Sequence, residues 1–179
     1  MKPLALIGYR GCGKSTVGPL VAARLGWAFV DADRELEIET GRTIAEIIRS
    51  EGEDKFRDLE TSMLQKLLKP ETILATGGGA VLRTLNREWL CNHSTVVWLQ
   101  APAEHLWERI RADARNVRPN LTALGGLEEV RQLLNVREPL YRETAHFSID
   151  AIHSPETTVE ELLSILSESL PGGLSKLPS

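Results

Sequence analysis

The sequence has few cysteines and no long apolar run. Its two cysteines, Cys12 and Cys91, are too few for a disulfide framework or a cysteine-based metal clip, which favours a reduced, intracellular protein. No run approaches the roughly 20 apolar residues of a membrane-spanning helix. The opening run Leu4–Ile7 is too short for the core of a signal peptide, so we take Met1 as the start of the mature chain. These absences predict a cytoplasmic protein with no membrane partner.

The sequence also lacks an excess of basic residues. It has 21 Lys and Arg against 25 Asp and Glu, a formal net charge of −4. Dedicated nucleic-acid binders normally carry a basic stripe, so we expect no nucleic-acid partner. An anionic ligand must then be held by cations placed locally. The length of 179 residues, with 42% apolar and 26% charged residues, predicts one globular domain over residues 1–170 and a frayed tail at 171–179.

Five short apolar runs alternate with segments of helical spacing. The runs are Leu4–Ile7, Ala28–Val30, Ile73–Ala75, Thr95–Leu99 and Phe147–Ile149. They lack a two-residue alternation, as expected for strands that are buried on both faces. Strands that alternate with helices predict right-handed crossovers and an α/β fold with a parallel sheet.

Two stretches depart from this simple alternation. Residues 33–69 have helical character interrupted at Gly41 and Gly52, which predicts about three helices between the second and third strands. Residues 116–126 are small and polar and include Pro119. Such a segment is a candidate for a mobile lid over a binding site.

The strongest motif is Gly8-Tyr-Arg-Gly-Cys-Gly-Lys-Ser15, which matches G-x-x-x-x-G-K-S between a predicted strand and a predicted helix. Backbone amides in such a loop surround a phosphate chain, while Lys14 reaches the outer phosphates and the Ser15 hydroxyl can bind Mg²⁺. A glycine-rich turn with an exposed lysine is the weaker alternative. Cys12 is either a small filler residue or a thiol that nucleotide would protect from alkylation. The motif predicts binding of a nucleoside triphosphate with magnesium.

A pair of carboxylates, Asp31 and Asp33, follows the second strand. Ligands of open α/β sheets lie beyond the carboxyl ends of the strands, so both acids can face the phosphate loop. Asp31 can help to hold the magnesium ion, which leaves Asp33 to accept a hydrogen bond from a substrate hydroxyl. The alternative is that Asp33 only caps the following helix.

Three consecutive glycines, Gly77–Gly79, follow the third strand. Such a run is entropically costly, which favours the close approach of a ligand to bare backbone over a simple tight turn. Four arginines stand where we expect loops: Arg10, Arg57, Arg118 and Arg137. Arginine binds carboxylates and phosphates through a planar, two-pronged contact, although each arginine taken singly is more typical of a solvated surface charge.

These motifs occur together in the order found in shikimate kinases, and the chain resembles that family from about Leu4 to Asp150. The segments that carry the resemblance are the phosphate loop with Thr16-Val17-Gly18, then Asp31-Ala-Asp33, Gly41-Arg42-Thr43-Ile44, Phe56-Arg57-x-x-Glu60, Gly77-Gly78-Gly79, Val117-Arg118-Pro119 and Arg137-x-Pro-Leu-Tyr141. The resemblance implies a P-loop kinase fold like that of nucleoside monophosphate kinases, with a five-stranded parallel sheet in the order 2-3-1-4-5. It also implies a substrate-binding helical region at about 33–60 and a lid at about 112–126.

The resemblance further implies a role for each matched residue. The implied shikimate-binding residues are Asp33, Arg57, Gly78, Gly79 and Arg137. The implied nucleotide-binding residues are Arg10, Gly11, Cys12, Gly13, Lys14, Ser15, Thr16, Arg111 and Arg118, with Arg111 on the adenine side. Ser15 and Asp31 are the implied magnesium ligands, and the implied catalytic residues are Asp33, Lys14 and Arg118.

The implied reaction transfers the γ-phosphoryl group of ATP to the 3-hydroxyl of shikimate, a step of chorismate and aromatic amino-acid biosynthesis. One alternative is another small-molecule kinase on the same scaffold, such as a gluconate or nucleoside monophosphate kinase. The triple glycine and the Arg137-x-Pro-Leu-Tyr141 segment argue against it. The other is a domain that binds nucleotide without catalysis, and against it stands the presence of every implied catalytic residue. We expect a monomer.

Overall fold

A computed structural model describes residues 2–112 and 125–169 of the chain. The strands are β1 (Leu4–Ile7), β2 (Ala28–Asp31), β3 (Thr72–Ala75), β4 (Thr95–Gln100) and β5 (Phe147–Asp150). The helices are α1 (Lys14–Leu25), α2 (Ala32–Thr40), α3 (Ile44–Glu51), α4 (Glu53–Leu67), α5 (Thr84–His93), α6 (Ala103–Ala112), α7 (Gly126–Thr144) and α8 (Pro155–Ser169). All strand pairs are parallel, in the order β2-β3-β1-β4-β5, which confirms the predicted fold class and strand order.

The central strand β1 is buried on both faces. Leu4 and Leu6 pack into the apolar cluster that includes residues of α1 and α8, while Ala5 and Ile7 pack into a second cluster with residues of α5 and α7. All four side chains have no exposed surface. This explains why the strand shows no alternation in sequence, because neither face is left to water.

Three helices lie between β2 and β3, as the interruptions at two glycines predict. Helix α2 ends at Gly41, whose φ of 65° is left-handed. Helix α3 begins with a capping box in which the Thr43 side chain accepts from the Glu46 amide and the Glu46 carboxylate accepts from the Thr43 amide. Gly52, at φ 89°, separates α3 from α4. These breaks let the three helices pack on one another around an apolar cluster that includes Leu36, Ile47 and Phe56.

Helix α8 covers one face of the sheet. It begins at Pro155, and the Ser154 hydroxyl accepts a hydrogen bond from the Thr157 amide at 3.3 Å, as the sequence pattern predicts. Val159 and Leu162 on its apolar face pack into the same cluster as residues of α1.

Two predicted segments lie outside the described residues. They are most of the lid, at positions 113–124, and the tail at 171–179. Over the two described ranges, no helix combines the length and the hydropathy needed to cross a membrane.

Candidate functional site

A cavity of about 750 Å³ lies at the carboxyl ends of β1, β2 and β3. One part of its wall is the phosphate loop with the start of α1, and Asp31, Asp33 and Gly78 lie across from it. The wall continues along the end of α6 to the loop that joins β5 to α8. The sheet therefore brings the phosphate loop, Asp31, Asp33 and Gly78 to one edge, as expected for a parallel α/β fold. Arg57, Gly79 and Arg137 do not line this cavity and lie beside it, around the triple glycine.

The phosphate loop owes its shape to glycines in left-handed conformations. Gly8, Gly11 and Gly13 have φ angles of 137°, 82° and 105°. A Cβ atom on Gly8 would also lie 2.5 Å from the Leu99 carbonyl oxygen, so no other residue fits there without a shift of backbone. The loop leaves β1 and opens α1 at Lys14, which is the context that the motif requires.

Lys14 lies inside this loop. Its Nζ donates to the Gly8 carbonyl at 2.7 Å and to the Tyr9 carbonyl at 3.1 Å, and it lies 3.4 Å from Cys12 Sγ. The ammonium charge is therefore held at the centre of the loop, where a phosphate chain would enter. Cys12 is a free thiol that is only 1% exposed, which supports its role as a small filler residue.

The two predicted magnesium ligands are in contact. Ser15 Oγ donates a hydrogen bond to Asp31 Oδ2 at 2.7 Å beside the phosphate loop. The other Asp31 oxygen accepts from the Arg34 amide at 3.3 Å, so Asp31 rather than Asp33 is the residue that caps α2. A hydroxyl and a carboxylate are hard oxygen donors, and Mg²⁺ is usually bound by one or two such groups together with substrate phosphates and water. These residues fit a magnesium ion.

The triple glycine lies close to two of the predicted shikimate-binding residues, Asp33 and Arg57. A Cβ atom on Gly77 would lie 2.6 Å from Asp33 Oδ1, and one on Gly79 would lie 2.6 Å from Arg57 Nη2. The run also forms a turn, since the Ala80 amide donates to the Gly77 carbonyl at 3.1 Å. The run is therefore a tight turn with the side chains of Asp33 and Arg57 against it, and the close approach of a ligand to its backbone stays a prediction.

The middle glycine, Gly78, lies between the phosphate loop and Arg137, one of the predicted shikimate-binding residues. A Cβ atom on Gly78 would lie 3.3 Å from the Arg10 backbone nitrogen and 3.7 Å from Arg137 Nη1. The Tyr141 hydroxyl donates to the Gly78 carbonyl at 2.5 Å, which holds the loop against α7. Burial raises the pKa of the Tyr141 hydroxyl, which keeps it protonated as a donor.

Arg57 is held by two carboxylates on its own helix. Its Nη1 lies 2.8 Å from Glu60 Oε2, and its Nη2 lies 3.0 Å from Glu53 Oε1. Burial alone would lower the pKa of Arg57, but Glu60 and Glu53 raise it above its ordinary value, so the guanidinium stays charged. The sequence motif includes Glu60, yet sequence reasoning gave it no role. The three-residue spacing on one helix was the available signal.

Glu60 itself is almost completely buried. Its Oε1 has no hydrogen-bond partner in the described part of the chain, and it lies 2.9 Å from where a Cβ atom on Gly77 would be. Burial raises the pKa of the Glu60 carboxyl; Arg57 opposes this effect and Asp33 reinforces it.

Arg57 lies within α4 and Arg137 within α7, so the prediction that these two arginines fall in loops is wrong. Arg137 reaches the site from α7. Its side chain is 8% exposed, and its guanidinium carbon lies 5.6 Å from the centre of the Tyr9 ring. Burial raises the pKa of the Tyr9 hydroxyl, while Arg10 and Arg137 act in the opposite direction. Arg137 is thus a buried cation rather than a solvated surface charge.

The adenine side differs in detail from the sequence prediction. The wall of the cavity is formed there by Arg109, Ile110 and Ala112, and Arg111 is exposed and not part of the wall. The role of Arg111 stays a prediction, and Arg109 is a lining residue that sequence reasoning missed. Arg118 lies outside the described residues.

The chain is similar in sequence and in structure to known proteins. The family model described as shikimate kinase matches residues 10–167. A curated relative, shikimate kinase 2 of Salmonella paratyphi B, is 41% identical over 170 residues, which cover 94% of each chain. Among solved structures, the shikimate kinase from Acinetobacter baumannii in complex with shikimate has a TM-score of 0.87 at 38% identity and covers 96% of each chain.

A second solved structure agrees. The shikimate kinase from Bacteroides thetaiotaomicron has a TM-score of 0.84 at 30% identity, with 92% of this chain and 98% of that chain covered. The family match, the sequence identity and the coverage all indicate one family, in agreement with the contacts around the triple glycine. The chain belongs to the shikimate kinase family.

Proposed function

We propose that this protein transfers the γ-phosphoryl group of ATP to the 3-hydroxyl of shikimate and that the two substrates meet at Gly77–Gly79. The observation that carries this proposal is the convergence on that run of Asp33, Arg57 and Arg137 beside the phosphate loop. The A. baumannii relative was solved in complex with shikimate, which supports the same acceptor here.

The charges of the site suit this acceptor. Shikimate carries one carboxylate and three hydroxyl groups. Arg57 and Arg137 supply cations for the carboxylate, and arginine binds carboxylates through paired hydrogen bonds. Asp33 accepts a hydrogen bond from a hydroxyl, and the bare backbone of Gly78 and Gly79 supplies amide donors.

Asp33 has the catalytic role on the acceptor side. A carboxylate with an ordinary pKa near 3.9 is a weak base toward an alcohol. Because the transition state of phosphoryl transfer is loose, the bond to the nucleophile forms late. Asp33 therefore needs only to align the 3-hydroxyl and to take its proton as that bond forms.

On the donor side, Lys14 and the loop amides hold the phosphate chain. Lys14 now donates to loop carbonyls, so it exchanges a carbonyl for a phosphate oxygen when ATP enters. Ser15 and Asp31 would hold Mg²⁺, which when bound neutralises charge on the outer phosphates. Arg118, supplied by the predicted lid, adds positive charge to the transferred group, and closure of the lid excludes water.

We also propose that the protein acts as a monomer in the cytoplasm. Cys12 and Cys91 are both free, which suits a reducing compartment. A molar mass of one chain by light scattering would support the monomer, and a stable dimer would contradict it.

The test of the function is ADP release from ATP with shikimate, gluconate, a nucleoside monophosphate or no acceptor. We expect shikimate alone to raise the rate well above the rate without acceptor, and mass spectrometry to show shikimate with one added phosphate. Stimulation by gluconate or by a nucleoside monophosphate instead would identify another kinase of the same fold. Equal rates under all conditions would leave only nucleotide binding.

A further inference from the structure

Helix α7 reaches the phosphate loop through a buried ion pair. Glu129 lies in the first turn of α7, and its Oε1 accepts a hydrogen bond from Arg10 Nη2 at 3.2 Å. The side chain of Glu129 has no exposed surface, and that of Arg10 is 18% exposed. The two residues are 119 positions apart, so this contact exists only in the folded chain.

The surroundings of the pair limit where the guanidinium can go. Arg10 Nε is buried and has no hydrogen-bond partner within the described ranges. Buried charged groups are tolerated when they are paired and hydrogen-bonded. The contact with Glu129 therefore keeps the Arg10 side chain in one position against α7.

The position of Arg10 bears directly on the site. Arg10 is part of the phosphate loop and lines the cavity, whereas Glu129 does not line it. The Arg10 backbone nitrogen also lies 3.3 Å from where a Cβ atom on Gly78 would be, so the phosphate loop lies close to the triple glycine. Helix α7 carries Arg137 as well, and it thus touches both halves of the site.

We propose that Glu129 is a positioning residue that fixes the phosphate loop through Arg10 and so sets its distance from Arg137 on α7. The consequence for turnover rests on the proposed function, whereas the consequence for nucleotide binding does not.

The test is a double-mutant cycle of Glu129→Gln, Arg10→Met and the double variant. Each protein is titrated with magnesium and a non-hydrolysable ATP analogue, well below its melting temperature, and kcat/KM is measured with shikimate. Gln keeps the shape of Glu and removes its charge. We expect Glu129→Gln to weaken binding of the analogue by about tenfold, the effect of one charge-assisted hydrogen bond. In the Arg10→Met background the same change should have a clearly smaller effect, because the contact between these two side chains is gone.

A matched control is Glu128→Gln, the neighbouring acid in the same turn, whose side chain is 65% exposed. We expect it to leave both measurements unchanged. Independent losses that multiply in the double variant, or a lower melting temperature with unchanged analogue binding, would show that Glu129 only supports the framework and would overturn the proposal.

If Glu129→Gln by itself folds poorly, the folding of the double variant shows why. If Arg10→Met restores folding, the unpaired Arg10 charge was the cause and the pairing is upheld. If the double variant also fails to fold, the carboxylate serves the framework and the proposal is wrong. A wild-type protein that binds the analogue but ignores shikimate contradicts the proposed function and leaves the binding cycle as a valid test.

Discussion

The site has a donor half, which we propose binds ATP, and an acceptor half, which we propose binds shikimate. The two halves are assembled in opposite ways. The phosphate-binding part of the donor half is one continuous segment, residues 8–16, whose glycines and amides follow each other along the chain. The acceptor half takes Asp33 from α2, Arg57 from α4, Gly77–Gly79 from the loop after β3, and Arg137 from α7. Only the packing of these elements brings the acceptor residues together.

The two halves therefore owe their binding properties to different features of the chain. The shape of the donor loop comes from backbone conformations that glycine adopts locally. The acceptor side chains are instead brought together by tertiary contacts, such as that of Tyr141 with Gly78 and the close approach of Asp33 to Gly77. Substitutions in the acceptor half should therefore change the acceptor kinetics and leave nucleotide binding intact.

The largest effect is expected for Asp33→Asn. The amide keeps the shape of the side chain but cannot take the proton, so we expect kcat to fall by about 10²–10⁴-fold, the usual contribution of a general base. The melting temperature and the affinity for an ATP analogue should stay close to those of the wild type. A turnover within about threefold of the wild type would remove the catalytic role of Asp33.

The next effect is expected for Arg57→Ala and Arg137→Ala. Each removes a cation that binds the shikimate carboxylate, so the KM for shikimate should rise by roughly 10–100-fold, corresponding to a charge-assisted hydrogen bond of about 1.5–3 kcal/mol. The affinity for the ATP analogue should change little. Arg142→Ala is the control, because that side chain on α7 is 72% exposed and ion-pairs with Glu138. An unchanged KM in both test variants would end the assignment of shikimate as the acceptor.

A smaller effect is expected for Gly79→Ala. The φ of −99° at Gly79 accepts alanine without strain, so the only conflict is with Arg57 Nη2, 2.6 Å from the new Cβ atom. The flexible end of the arginine can shift, and we expect the KM for shikimate to rise by about tenfold, about half the free energy of deleting the arginine. In an Arg57→Ala background the change should do almost nothing. An equal loss of affinity for the ATP analogue would mean that the two halves are not separate.

The smallest effect concerns stability, through Glu60→Gln. Burial raises the pKa of Glu60 in the folded protein, so the folded state holds this proton more tightly than the unfolded chain does. The wild type therefore loses stability relative to the Gln variant as pH rises through that raised pKa. We expect equal melting temperatures at a pH below the ordinary glutamate pKa, and at pH 7 a melting temperature on the order of 2–4 °C higher for the variant.

The same variant should bind shikimate less tightly, because Arg57 loses a charged partner. Melting curves from pH 4 to pH 8 and the KM for shikimate measure both effects. A Gln variant that is less stable than the wild type at pH 7 would show that the ion pair with Arg57 outweighs the burial of Glu60.

Most of the fold followed from local patterns. The strand predicted at Leu4–Ile7 is confirmed with the same bounds, and that predicted at Ala28–Val30 is one residue short of β2. Gly41 and Gly52 marked the helix breaks correctly because a left-handed or otherwise unusual backbone is a property of single residues.

The errors and omissions arose where helices pack. The structure puts the cap of α2 on Asp31, which leaves Asp33 to face the triple glycine. Arg109 rather than Arg111 lines the cavity, because the packing of α6 decides which of its residues face inward. Glu129 gave no signal in the sequence, since its partner Arg10 is far away along the chain.

The sequence by itself determined the phosphate loop, the alternation of strands and helices, and the residue types that an anionic acceptor needs. These depend on backbone conformation, apolar spacing and charge, which are local properties. Only the tertiary structure decided that Glu129 pairs with Arg10 and which side chains lie against Gly77–Gly79. The side chains at the triple glycine come from α2, α4 and α7, and they meet because the buried sheet brings these helices to one edge.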